Sequence, residues 1–333
     1  MKRIYYFFAA ISLLAISCKP DEKLKKFSFK GETMGSYYAV TYYAKTSIIQ
    51  QAQVDSFLQS FNKSLSTWDK SSLITAINTA EKKHTTDSFF KALYRKSKEV
   101  NHISNGAFDP TASPLFEAWG FGLKNAEAMD SLRVDSLLSL VGIDKCYLKG
   151  DTLYKTVNGI QFSFNAIAPG YAADLLGEFF AQKGINIYLI DIGGEFASKG
   201  KKPNGYNWTV SIEKPVENKT AQNEAIAYIR LQEGEALATS GNYRKFYYKN
   251  GKKYSHTINP ITGYPVNHNL LSVTIVANNA TTADAFATTC MVLGLEKGKA
   301  FIKQQEAKAY FIYDENGALN EYISETLTPQ FSK

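Results

Sequence analysis

N-I-Y-L-I-D-I-G-G-E (186–195) reads as a strand running into a turn. Ile187, Tyr188 and Ile190 are β-formers suited to a pleated surface. Gly193-Gly194 then offers a hairpin turn, which returns the chain antiparallel to itself. The same reading extends through the later half of the chain. W-T-V-S-I (208–212), A-I-A-Y-I-R-L (225–231), N-Y-R-K-F-Y-Y (242–248) and L-S-V-T-I-V (271–276) are also alternating and rich in β-formers. The earlier half is helical in pattern. S-I-I-Q-Q-A-Q-V-D-S-F-L-Q-S-F (47–61), D-S-F-F-K-A-L-Y-R-K-S-K-E-V (87–100) and S-L-R-V-D-S-L-L-S-L-V-G (131–142) carry apolar residues at three-to-four spacing. Regular β-α-β alternation is missing. The expectation is an α+β fold with mostly antiparallel strands, in one domain with an internal cleft spanning residues 31–333.

Bulk composition agrees. Of 333 residues, 44% are hydrophobic and 14% aromatic, enough for a packed core and against wholesale disorder. The formal charge is +7, or +5 once Lys2 and Arg3 are set aside with the N-terminal segment. The basic residues are scattered in short loops with no Arg-rich stripe, so nucleic-acid binding is not expected, whereas a mildly basic face suits an anionic ligand.

Met1-Lys2-Arg3 followed by an apolar run over 4–16 reads as a secretory signal, residues 1–17, too short to span a membrane. L-A-I-S-C (14–18) resembles a bacterial lipobox with Cys18 as the lipidated first residue, although a plain cleaved signal with an incidental cysteine fits the same pattern. A charged tether, 18–30, follows. The expectation is an exported, membrane-anchored lipoprotein facing the periplasm, held by lipid on Cys18. Cys146 and Cys290 have no C-x-x-C spacing and no neighbouring His, so they read as buried thiols and a zinc site is not supported.

Glycine-bearing corners interrupt these elements. T-M-G-S (33–36) lies near the first strand, G-A-F-D-P-T (106–111) turns after a helix, and F-N-A-I-A-P-G-Y-A-A-D (164–174) runs into one. T-S-G-N-Y-R (239–244) precedes a strand, and H-T-I-N-P-I-T-G-Y-P (256–265) carries one of four histidines. Such corners bring backbone N–H groups close to phosphate oxygens. No G-x-G-x-x-G follows a strand and no Walker sequence is present. In A-T-T-A-D-A-F-A-T-T-C-M-V-L-G (280–294), Thr281 and Asp284 fit a capping box. Asp284 and Thr288, one helical turn apart, equally fit an oxygen-ligand site for Mg2+ or Ca2+.

Taken in order, T-M-G-S, L-S-T-W-D-K-S-S (65–72), G-A-F-D-P-T-A-S-P-L-F-E-A-W-G-F-G, N-A-I-A-P-G-Y-A-A-D, D-I-G-G-E, T-S-G-N-Y-R, Y-S-H-T-I-N-P-I-T-G-Y-P-V and A-D-A-F-A-T-T resemble the ApbE family of FAD:protein FMN transferases over about residues 30–315. The resemblance implies a T-fold-like enzyme, commonly an exported lipoprotein, that splits FAD with Mg2+. It implies FMN transfer through a phosphoester to a Ser or Thr hydroxyl of a partner protein, with AMP released. Metal ligands by resemblance are Asp284, Thr288 and the main-chain carbonyl of Ala166. FAD would be held by Met34, Trp68, the turn Ala107-Phe108-Asp109, Ser163, Pro169 and Ile258. His256 would sit by the reacting phosphate as base or orienting group. Ser163 and Pro169 stand where the family usually has Asp and Lys, and Trp68 where Tyr is usual. The acceptor pattern D-x-x-[ST]-G-A-[ST]-T is absent from this chain, so an acceptor would be modified in trans. Two further readings stand beside transfer: a Mg2+-dependent FAD pyrophosphatase giving FMN and AMP, and a non-catalytic flavin-binding lipoprotein.

Overall fold

The computed structural model describes residues 23–122, 125–215, 224–243, 246–249 and 252–333. The expected signal segment and Cys18 lie outside these residues. The described chain opens with a hairpin of β1 (Lys25–Thr33) and β2 (Ser36–Ala44). Its turn residues Met34 and Gly35 both have positive φ, 51° and 71°. Glycine adopts that conformation freely and methionine does not. Helices α1 (Gln51–Leu65) and α2 (Leu73–Thr79), the short strand β3 (Lys83–Thr85) and helix α3 (Ser88–Ile103) follow. Asp87 starts α3 by accepting a hydrogen bond from Phe90 N–H at 2.9 Å. After α4 (Ser113–Ala118) come α5 (Ser131–Leu138), strands β4 (Cys146–Lys149) and β5 (Thr152–Lys155), and α6 (Ala168–Gln182). The periodicity predicted α5 to continue to 142; it ends at Leu138, and Gly142 has φ 135°.

The later half contains β6 (Tyr188–Ile192), β7 (Glu195–Lys199), β8 (Thr209–Glu213), β9 (Ala225–Arg230), β10 (Ala236–Gly241), β11 (Phe246–Lys249), β12 (Lys252–Ser255) and β13 (Leu270–Ala277). Two helices, α7 (Ala280–Leu293) and α8 (Leu295–Gln304), precede β14 (Lys308–Glu315), β15 (Ala318–Ile323) and β16 (Phe331–Ser332). The Gly193-Gly194 turn joins β6 to β7 in an antiparallel hairpin, with Ile192 paired to Glu195. T-S-G-N-Y-R precedes β11 as predicted, and its Thr239, Ser240 and Gly241 also end β10.

Eight strands form the main sheet in the order β1-β2-β6-β7-β10-β13-β14-β15, every neighbour antiparallel. This is the expected α+β architecture. On one face Val40, Tyr42, Ile190 and Ile275 pack with helical residues such as Phe61, Phe90, Phe180 and Phe286 in a single core. The other face carries Leu237, Val276, Tyr310 and Ile312 against Val210, Ile212 and Ile229 of a three-stranded sheet, β16-β9-β8. Helix α7 is buried on nearly all sides, its polar side chains being Thr281, Thr282, Asp284, Thr288 and Thr289. A helix apolar all round belongs in a core, so a carboxylate there needs a specific reason. Cys146 and Cys290 are buried free thiols. No helix among the described residues is long and apolar enough to cross a membrane.

Candidate active site

Asp284 is 5% exposed and faces a cavity of about 1050 Å³ between the loop that leads into α6, the hairpin turn at Gly193-Gly194, the end of β10 and strand β8. Two helix starts meet at its inner end. Gly170 N–H, in the first turn of α6, donates to Asp284 Oδ2 at 3.1 Å. The α6 backbone comes so close to α7 that a Cβ at Gly170 would lie 2.3 Å from Ala280 O. In return Asp174 of α6 accepts from Ala280 N–H and Thr281 N–H, each at 2.8 Å, and from the Thr281 hydroxyl. The capping-box reading of Thr281 and Asp284 is thereby corrected. Asn279 is the N-cap of α7, accepting from Thr282 N–H at 2.8 Å, and the second cap comes from another helix. Thr281 donates to Asp174, and Asp284 is left pointing into the cavity.

Burial pushes the Asp284 carboxyl well above the usual carboxylate range, and the nearby Asp174 charge adds to the rise. The Gly170 N–H and the positive end of α6 offset only part of that cost. The Thr288 hydroxyl lies 3.1 Å from Ser240 Oγ, and Ala166 lines the same cavity. The Asp284 carboxylate and the Thr288 hydroxyl, one turn apart on α7, are hard oxygen donors of the kind Mg2+ takes, and the Ala166 carbonyl would be a third. No group of three or more His, Cys, Asp or Glu among the described residues is arranged to hold a metal. A site with one carboxylate would draw the rest of a Mg2+ shell from substrate phosphates and water.

His256 follows β12 and lines the cavity, its ring 6.4 Å from that of Phe121 in an edge-on contact. Ile258, held by a bridge to Pro265, forms part of the same wall. The turn Ala107-Phe108-Asp109 also lines it, but the Asp109 carboxylate is committed internally. It accepts from Thr111 N–H at 2.8 Å, Ile143 N–H at 3.0 Å and Asn101 Nδ2 at 3.2 Å, besides the Thr111 hydroxyl. Its role is to fix the turn. Ser163 lines the cavity with its N–H bonded to Pro110 O at 2.8 Å.

The structure thus brings together Ala107, Phe108, Asp109, Ser163, Ala166, His256, Ile258, Asp284 and Thr288. It leaves three residues off the cavity wall. Pro169 sits within the first turn of α6, Met34 packs against the main core, and Trp68 is 60% exposed. Sequence reasoning missed Tyr37, Asp191, Glu195, Ser240 and strand β8, all on the wall. In D-I-G-G-E the glycines signal the turn, and the two acids that flank it face the cavity. Asp191 accepts from Gly194 N–H at 2.8 Å, and burial pushes its carboxyl up to about 6. Tyr37 donates to it and is itself pushed up by burial and by that charge. The wall is acidic, whereas a mildly basic face would suit an anionic ligand. Asp109, Asp191, Glu195, Glu213 and Asp284 line the cavity, and among the described lining residues there is no Lys or Arg.

Comparison with known proteins fits this arrangement. The chain is 31% identical over 340 residues to a protein of Vibrio cholerae serotype O1 named FAD:protein FMN transferase, covering 98% of each chain. It is 31% identical to the Escherichia coli K12 protein of the same name, covering 91% of this chain and 87% of that one. The crystal structure of Pseudomonas stutzeri flavinyl transferase ApbE, apo form, superposes with a TM-score of 0.82 at 31% identity, covering 92% and 97%. That likeness extends to the mixed helices and antiparallel sheets. A family profile described as ApbE family matches residues 34–311, and the chain belongs to that family.

Proposed function

We propose that the chain transfers FMN from FAD to a Ser or Thr hydroxyl of an acceptor protein, forming a phosphoester and releasing AMP. Full-length similarity to proteins named FAD:protein FMN transferase supports the activity class. The observation that carries the chemistry is the buried, undercompensated Asp284 carboxylate in a cavity whose described lining has no cationic side chain. A pyrophosphate beside the ionised Asp284 carboxylate calls for a cation between them. Asp284, Thr288 and the Ala166 carbonyl would hold Mg2+. The chemistry supplied by the bound ion is neutralisation of the pyrophosphate and stabilisation of the departing AMP phosphate.

His256 takes the proton of the acceptor hydroxyl as its oxygen bonds to the FMN phosphorus and the P–O bond to AMP breaks. Phe108 and Ile258 supply apolar surface for a planar ring. Mixing the protein with FAD, Mg2+ and a domain bearing D-x-x-[ST]-G-A-[ST]-T tests the reading. Transfer gives AMP together with covalent flavin fluorescence on the acceptor. FMN released free in equal yield without acceptor supports the pyrophosphatase reading instead, and unchanged FAD leaves only binding. The signal-like residues 1–17 and the lipobox support export and anchoring through Cys18, with the catalytic domain facing the periplasm. Loss of lipid labelling in Cys18→Ala tests that part.

A further inference from the structure

We propose that the free edge of β8 receives an extended, positively flanked segment of the acceptor protein, which pairs with it as an added strand and brings its hydroxyl to His256. The inference rests on the transferase reading above. In the order β16-β9-β8, strand β8 is at the edge of its sheet. Leu231 N–H donates to Trp208 O and Lys214 N–H to Glu224 O, each at 2.9 Å. With Thr209 opposite Arg230 and Glu213 opposite Ala225, these bonds fix the phase of the ladder. Val210 and Ile212 turn their main-chain groups toward β9, while Thr209 and Ser211 turn theirs outward. Among the described residues neither Thr209 nor Ser211 has a backbone partner on that side.

Edges of this kind are usually guarded by Lys, Pro or a covering element. The strand T-V-S-I-E has no Lys and no Pro. All five of its residues line the cavity that also holds His256 and Asp284. Across from the edge, the partly buried Leu189 and Phe196 of the main sheet give an apolar floor. Space beside an open edge, apolar floor beneath and the reacting groups in the same cavity match strand addition, where main-chain bonds give affinity and side-chain pockets give selectivity. The charge of this lobe selects the flanks. Asp191, Glu195 and Glu213 lie around it, so Lys or Arg beside the hydroxyl is favoured over Glu or Asp.

The test uses the intact protein, FAD, Mg2+ and synthetic peptides bearing D-x-x-[ST]-G-A-[ST]-T between lysine flanks. Two peptides carry N-methyl groups on alternate amides, one set in each register. Docking on β8 raises the KM of one register about tenfold and leaves the other near the parent, as expected for losing one or two main-chain hydrogen bonds. Glutamate flanks raise KM as well. Ser211→Pro raises the parent peptide's KM, and a Tm near that of the unsubstituted protein shows that the variant is folded. Equal KM for both registers overturns the docking while leaving the transferase reading intact. Absence of FMN transfer to either the peptide or the whole acceptor domain by the unsubstituted enzyme overturns both.

Discussion

Asp284 on α7 accepts a hydrogen bond from Gly170 N–H at the start of α6, 3.1 Å away, and Asp174 of α6 answers by capping α7 at Ala280 and Thr281. The two helix starts are therefore locked to each other through two carboxylates. One is spent on structure with three donors. The other has a single donor and an open side, which makes it available to a cation. Ala280 O fills the place where a side chain at residue 170 would begin, so the lock requires glycine there.

Asp284→Asn separates function from stability. The substitution should cut FMN transfer by at least about 100-fold, beyond the usual cost of losing an outer-shell partner of a metal ligand. Because burial disfavours the ionised form, the same variant should unfold at an equal or higher temperature in the absence of metal. Activity within a few-fold of wild type, or a lowered Tm without Mg2+, would contradict the assignment.

Asp174→Ala should do the opposite at first. It removes the acceptor of two backbone N–H groups and a hydroxyl, costing about 2 kcal/mol or more in urea unfolding, the upper range for a lost helix cap. Asn279→Ala removes one capping bond and should cost roughly half as much. Similar losses in the two variants would mean that α6 does not hold α7.

Much of this arrangement is readable in the chain before folding. The β6–β7 hairpin followed from alternation plus Gly-Gly, because both signals act within ten residues. Helices α1 and α3 followed from spacing, α1 displaced by four residues at each end and α3 within three residues of its predicted bounds. The pairing of Asp174 with Thr281 joins residues 107 apart, and no local pattern announces it. Locally, Thr281 and Asp284 looked like a capping box, and a tertiary partner displaced that role. Strand β8 was predicted as a strand, but its place on the cavity wall depends on how one sheet lies over another.

Asp191 gives a pH signature. Its carboxyl rises from 3.8 to about 6 on folding, so the folded state binds the proton more tightly than the unfolded chain. Stability due to this group is greatest below about pH 4 and falls as pH rises toward 6. In urea titrations, wild type should therefore lose roughly 2–3 kcal/mol relative to Asp191→Asn between pH 4 and pH 7. A constant difference across that range would show that Asp191 titrates normally.

Trp68 and Met34 test how far the FAD site extends beyond the cavity wall. Trp68 is mostly exposed, so Trp68→Ala should change unfolding free energy by less than about 0.5 kcal/mol. A flavin or adenine ring stacked on it would lose affinity by about tenfold in the variant, within the usual worth of one base–aromatic stack. Met34→Gly relieves a left-handed turn position but gives up packing on the core, so stability should change by no more than about 1 kcal/mol, while FAD binding weakens if the side chain covers the ring. Fluorescence quenching titrations with FAD read both effects. The expected result is weaker FAD binding in each variant, with both still folded. Unchanged FAD affinity in both would confine the nucleotide to the cavity between α6, β8 and His256.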